Sequence, residues 1–174
     1  MVLEAGKRDR MVWYALHTMI ETGLDLLGWF DDPVANGLDR LPVSMPWGGF
    51  PDGEPIPVNG IVVMPEDTDY TELETGSNAE RRDRVYVIDI YAEDHAVGLH
   101  LRGDISAMLR GHHPSIGRDR NVLEVEEVDI ATPAVVATMD IVNVRDERAR
   151  GGTDPWERYW YSILCVVEDE GWDP

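Results

Sequence analysis

Apolar residues recur with the period of an amphipathic helix in two segments of the sequence. In the first, from Met11 to Leu27, six of them share one face and Gly28 follows as a stop: Val12, Leu16, Met19, Ile20, Leu24 and Leu27. In the second, which has Glu93 and Asp94 in its first turn and ends before Gly111, five residues form one stripe: Val97, Leu101, Ile105, Met108 and Leu109. The pattern predicts two helices, each with one face against a core.

Between and after these helices, the apolar pattern changes to that of strands. Val85 to Tyr91 is rich in β-branched and aromatic residues and leads directly into the second helix, and both of its faces are largely apolar. Other predicted strands are Gly60 to Met64, Asn121 to Asp129, Ala134 to Val144 and Trp156 to Val167. Short connections favour antiparallel pairing. The sequence therefore predicts an α+β fold with one mainly antiparallel, mixed sheet packed by two helices.

The length of 174 residues fits one domain, which we divide into an N-terminal helix (1–30), a Pro/Gly-rich arm or loop (31–59), a core (60–168) and an acidic tail (169–174). Six prolines and four glycines exclude a regular helix or a central strand from 31–59, although Leu38 to Met45 could form an edge strand. Trp47 and Phe50 distinguish this arm from a polar linker. It lies either on a neighbouring subunit or on its own domain.

The charge of the chain limits the kinds of molecule that it can bind. The chain has 34 acidic and 15 basic residues, a formal net charge of −19. Such a surface opposes binding to nucleic acid or to an anionic membrane, because both require Lys and Arg. It fits a protein that stays soluble until it assembles, or one that lines a path for a polyanion, and solubility alone is the simpler interpretation. The residues from Pro65 to Glu80 concentrate this charge in what we predict to be a solvated loop.

The residue patterns of common active sites are missing from the sequence. It contains no nucleophile motif and no phosphate-binding loop, and its single cysteine, Cys165, lies in an apolar run typical of a buried side chain. The adjacent His112 and His113 lie on a turn, where neighbours rarely bind one metal ion. Asp89 lies on the apolar central strand, so we expect an Arg partner or a position at a subunit seam. We therefore expect no enzymatic activity, no cofactor, no metal, no signal peptide and no membrane span.

The order of these elements and certain residues resemble the tail terminator proteins of long-tailed bacteriophages, in the form found in actinobacterial phages and prophages. The resemblance rests on the strand from Arg84 to Tyr91, the helix through Leu101 and Leu109, and three closing strands with an Arg-rich turn at 146–154 and the aromatic run Tyr159-Trp160-Tyr161. It covers about Ile61 to Glu168. The long Pro-rich segment and the wide acidic loop depart from the family's pattern.

The resemblance implies a virion protein that forms a ring, expected to be a hexamer, at the head-proximal end of the tail tube. Such a ring stops tube polymerisation, meets a head-side connector or stopper, and lets DNA pass without binding it specifically. The hypothetical subunit-interface residues are Trp47, Phe50, Arg81, Arg82, Asp89, Arg145, Arg148 and Arg150. The hypothetical lumen or rim residues are Glu66, Asp67, Asp69, Glu72 and Glu74. The alternatives are a stopper, an adaptor or a tail-tube subunit, and, from another class, a small hydrolase-like enzyme using Asp89, His112 and His113.

Overall fold

The computed structural model describes residues 5–29, 43–44, 60–72, 80–92, 94–116, 121–127, 134–146 and 159–170. It contains helices α1 (Ala5–Leu26) and α2 (His95–Leu109) and strands β1 (Val43–Ser44), β2 (Gly60–Glu72), β3 (Glu80–Ala92), β4 (Val122–Glu126), β5 (Val135–Asp146) and β6 (Tyr159–Glu170). The strands form one sheet in the order β1-β2-β3-β6-β5-β4, in which only the described β1–β2 pair is parallel. The predicted α+β fold is confirmed. The predicted arm lies outside the described residues except for β1, which lies at the sheet edge.

Both helices end as their glycines predict. Gly28 and Gly111 have φ values of 77° and 67°, the left-handed conformation that closes a helix. Helix α1 begins at Ala5 rather than at Met11. Its charged first turns have partners in the sheet, because Arg8 binds Asp169 of β6 and Asp9 binds Arg84 of β3. Asp94 is the N-cap of α2, where its Oδ1 accepts hydrogen bonds from the backbone N–H groups of Ala96 and Val97 at 2.8 and 3.1 Å.

The predicted acidic loop is wrong for most of its length. Strand β2 continues to Glu72 and β3 begins at Glu80, and the two pair antiparallel from Gly60 opposite Tyr91 to Glu72 opposite Glu80. A shift in register between Pro65 and Asp67 interrupts the alternation of side chains between the two faces. This bulge, together with the polar composition, conceals the strand in the sequence. The acidic residues therefore extend the sheet as a hairpin.

Helix α1 contacts both edges of the curled sheet. It packs against β4 at one edge and against β1 and β2 at the other, whereas α2 lies against β3, β6 and β5 in the middle. At the β2 edge, the indole Nε1–H of Trp13 donates to the carbonyl oxygen of Val63 at 2.9 Å, and both groups are buried. Just beyond β4, Lys7 Nζ lies 3.1 Å from Glu127 Oε1. A single helix thus contacts strands at both edges of the described sheet.

The core lies between the helices and one face of the sheet. That face carries Tyr86, Ile88 and Ile90 of β3 and Tyr161, Ile163, Cys165 and Val167 of β6, all buried against apolar residues of α1 and α2. Cys165 is a buried side chain, as predicted, and burial raises the pKa of its thiol to about 12. Neither described helix is long and apolar enough to cross a membrane.

Two glycines of α2 provide a matched test of this packing. A methyl group added at Gly98 would lie 2.3 Å from Cε2 of the buried Tyr161, whereas one added at Gly103 would meet nothing within 4 Å. We expect Gly98→Ala to lower the free energy of unfolding by about 1–3 kcal/mol through overpacking. Gly103→Ala should instead raise it by about 0.5–1 kcal/mol, because Ala favours the helix. Urea unfolding of both variants measures the difference, and equal effects would contradict the packing described for Gly98.

Candidate assembly surface

The opposite face of the central sheet, here called the outer face, is also apolar. Alternation along β2, β3 and β6 places eight apolar side chains on it: Val62, Met64, Val85, Val87, Tyr91, Trp160, Leu164 and Val166. Most of them are half-buried, and the rings of Tyr91 and Trp160 stack with their centroids 5.7 Å apart. The buried cluster that includes α1 and α2 is on the other side of the sheet. Both described helices therefore leave the outer face uncovered.

Asp89 lies at the centre of the outer face and is only 3% exposed. The sheet register aligns it with Ser162 of β6, whose Oγ–H donates to Asp89 Oδ1 at 2.5 Å. The expectation of an Arg partner among the described residues is therefore wrong, because a hydroxyl on the next strand supplies the hydrogen bond that a buried carboxylate requires. A role for Asp89 at a subunit seam stays a prediction.

Polar residues border the apolar centre of the outer face on two sides. On β5, Arg145 and Asn143 are exposed and align with Leu164 and Val166. Towards the β2–β3 hairpin, one register row across four strands consists of carboxylic acids: Asp69, Asp83, Glu168 and Asp140. An apolar centre with a polar rim is the arrangement found in protein interfaces.

The structure places the other sequence-predicted interface and rim residues as follows. Arg81 aligns with Glu170 near the acidic row, and Arg82, on the adjacent position of β3, is half-buried. Glu66 is exposed on β2, which also contains Asp67 and Glu72. Residues that lie outside the described part of the chain are Trp47, Phe50, Glu74, Arg148 and Arg150. Arg82 shares the inner-face alternation of Arg84, so it lies apart from Arg145, which is on the β5 border of the outer face.

A buried ion network lies beneath α1 on the inner face of the sheet, and sequence reasoning missed it. Arg84, which is 2% exposed, donates from Nη1 to Asp169 Oδ2 at 2.8 Å and from Nη2 to Asp9 Oδ1 at 3.0 Å. Arg8 also donates to the carboxylate of Asp169, which is itself 5% exposed. One carboxylate near the end of β6 thus serves two guanidinium groups, one from α1 and one from β3.

The two arginines of this network respond differently to burial. Burial lowers the pKa of Arg8, and the attraction of Asp169 opposes this only in part. Burial acts in the same direction on Arg84, but the hydrogen bonds to Asp169 and Asp9 and the attraction of both carboxylates together outweigh it, so the pKa of Arg84 is raised. Asp169 was predicted to begin the acidic tail, whereas β6 continues through Glu170. Its alignment opposite the Arg-rich start of β3 is the signal that identifies its role.

The histidine pair does not form one site. His113 Nε2 lies 3.4 Å from Asp104 Oδ1, and the same carboxylate accepts a hydrogen bond from Trp29 Nε1 at 2.9 Å. His112 is exposed. In the part of the chain that the structure describes, no group of three or more His, Cys, Asp or Glu side chains could hold a metal ion. Asp104 therefore connects the end of α1 to α2 and to the turn that follows it.

Comparisons with known proteins find similarity among solved structures. No protein-family model matches the sequence, and no curated protein matches it. Among solved structures, the chain is similar to a chain in the virion of a native gene transfer agent (GTA) particle. The TM-score is 0.46 and the identity 12%, over 89% of this chain and 94% of that chain.

Proposed function

We propose that this chain is a structural protein of a phage or phage-like virion, and specifically a tail terminator that forms a ring on the tail tube. The observation that carries the proposal is the outer face, a broad apolar surface on the most regular part of the sheet that neither described helix covers. Apolar patches that stay partly accessible in soluble proteins mark contacts with other proteins, and seven of the eight apolar side chains of this face are half-buried rather than buried. The resemblance of the sequence to tail terminator proteins, from about Ile61 to Glu168, supports the proposal.

The charge of the chain supports assembly through this face. Copies that each carry a formal charge of −19 repel one another, so a stable contact has to exclude water from apolar surface to offset that repulsion. A stable interface buries about 800 Å² on each partner. The three long strands β2, β3 and β6 provide the broadest apolar surface that no described helix covers. Arg145, on the border of this face, meets an acidic neighbour in the proposed ring.

The acidic register row supports a role beside the path of DNA. Asp83, Glu168 and Asp140 follow one another across three strands, and Asp69 extends the row on the hairpin. In a ring these carboxylates repeat around the hole and repel phosphate, so that DNA passes without binding. The ring is expected to be a hexamer that meets tail-tube protein on one side and a head-side connector on the other.

A tail-tube subunit, or a stopper or adaptor on the head side, is the second candidate, because each of these also assembles through apolar surfaces. The candidates differ in what they assemble. A tube subunit polymerises into long tubes, whereas a terminator remains a monomer or a single ring and ends the growth of tubes made by another protein. Electron microscopy of the purified protein, alone and with tail-tube subunits, separates them.

The decisive variant introduces a charge at the centre of the outer face. Leu164→Asp should leave the fold intact, since Leu164 is only half-buried, but should prevent ring formation and tube capping. Native mass spectrometry measures the ring, and the length of co-assembled tubes in electron micrographs measures capping. The control is Leu99→Asp on α2, where the side chain is 39% exposed and lies away from the sheet's outer face. Rings formed equally by both variants would exclude the outer face, and a wild-type protein that never caps tubes would exclude the function.

A further inference from the structure

A groove runs between α1 and the edge strand β4, next to the β5 border of the outer face. Its lining residues are Tyr14, Ala15, Thr18, Met19, Thr22, Leu123, Glu124 and Glu126. Its volume of about 180 Å³ is smaller than the roughly 300–1,000 Å³ of sites that hold small-molecule ligands or cofactors. The groove therefore suits side chains of an extended polypeptide better than a compact ligand.

The lining residues place the groove along the edge of β4 that pairs with no other described strand. Leu123 points into the core, and Glu124 and Glu126 are exposed on the opposite side of the strand, so a space that all three border lies at the strand edge. The carbonyl oxygen of Asn121 accepts a hydrogen bond from the N–H of Ile141 at 2.7 Å. The backbone of Asn121 therefore faces β5. By alternation in an antiparallel ladder, the backbone groups of Val122, Glu124 and Glu126 point away from β5 and towards the groove.

The two walls of the groove have different chemistry. Tyr14, Thr18 and Thr22 follow one another at intervals of one helical turn on α1 and provide a row of hydroxyl groups. Met19 and Leu123 provide apolar surface deeper in the groove, and both are buried. On the strand side, Glu124 and Glu126 provide exposed negative charge. The ion pair of Lys7 with Glu127 lies just beyond the strand.

We propose that this groove binds an extended segment of a partner protein in which basic and small apolar residues alternate. The segment adds to β4 as a further strand, so that its backbone bonds to the outward groups of Val122 and Glu124. Alternate side chains then point to opposite sides: basic ones to the glutamates, and small apolar ones to Met19 and Leu123. Charge complementarity selects this partner, since the exposed charge on the groove is acidic. The inference depends on the groove alone and not on the proposed ring.

The test uses the full chain and a synthetic peptide, Thr-Arg-Val-Arg-Val-Arg-Thr, with both ends blocked. Fluorescence anisotropy measures affinity, and backbone amide chemical shifts locate the peptide. We expect shifts confined to β4 and the facing turns of α1, and binding at least about tenfold weaker when Glu replaces each Arg in the peptide. Glu124→Lys should weaken binding of the basic peptide by about fivefold. Thr18→Trp, which fills the groove, should abolish it.

Glu66→Lys is the matched control, because it makes the same charge change at an exposed site on β2. Equal weakening by Glu66→Lys and Glu124→Lys would show general attraction to an acidic protein and would overturn the proposal. Amide shifts in β4 that depend on protein concentration without peptide would show that a second copy fills the groove, which also overturns it. Full binding by Thr18→Trp would exclude the groove as the site.

Discussion

Asp169→Asn is expected to lower the free energy of unfolding by about 3–5 kcal/mol, the cost of leaving buried charge without its partner. Asp169 is the carboxylate that Arg8 and Arg84 share, and all three side chains are at least nine-tenths out of solvent. The amide keeps the shape but removes the negative charge, so two guanidinium groups lose their common counter-ion. For a chain of this length, the loss corresponds to a fall in Tm of roughly 6–20 °C.

Asp9→Asn is the matched control for this experiment. Asp9 also accepts hydrogen bonds from Arg84, but its side chain is 48% exposed, so water replaces much of the lost interaction. We expect that variant to cost no more than about 1 kcal/mol. Urea unfolding followed by circular dichroism gives both values. If the two variants lose the same stability, Asp169 is not the centre of the network.

The second large effect is expected at Trp13, where α1 meets the β2 edge. Trp13→Ala removes a large side chain that is 4% exposed and also leaves the carbonyl oxygen of Val63 without its indole donor. We expect a loss of about 3–5 kcal/mol. Trp13→Phe retains most of the apolar contact and loses the hydrogen bond, so its cost should be about 1–3 kcal/mol.

Hydrogen exchange shows whether the loss of stability in the Trp13 variants comes from the sheet edge. In Trp13→Phe, exchange should accelerate relative to the wild type more for the amide protons of β2 than for those of the central strand β6, because the helix protects the edge rather than the middle. The control is Tyr14→Ala at the adjacent, 44% exposed position, which should change stability by no more than about 0.5 kcal/mol. Uniform acceleration across the whole sheet would contradict a local role for Trp13.

Periodicity was sufficient to predict the fold class and the elements that border the core. The stripe from Val97 to Leu109 and the apolar strand before it need no long-range information, because burial of one face fixes their pattern. The outer half of β2 could not be predicted in this way. Its residues are polar, and it is a strand because β3 lies beside it. Pairing partners, rather than composition, decide the structure of such a segment.

Candidate site residues were harder to predict than the fold. Asp89 was identified because a carboxylate interrupts an apolar strand, but its partner, Ser162, is a common residue with no distinguishing pattern. Arg84 and Asp169 belong to charged runs that look solvated in the sequence. Only the antiparallel register of β3 with β6, and the position of α1 above them, show that these two charges meet inside the protein.

The contacts of α1 with distant strands also have a consequence for synthesis. Trp13 meets a residue 50 positions later, Lys7 one 120 positions later and Arg8 one 161 positions later. At about 5–20 residues per second, the last of these partners leaves the ribosome roughly 8–30 seconds after the first helix. Throughout that interval the apolar face of the helix is exposed. The nascent chain is therefore expected to bind ribosome-associated chaperones. Faster translation should shorten the time during which this face can aggregate.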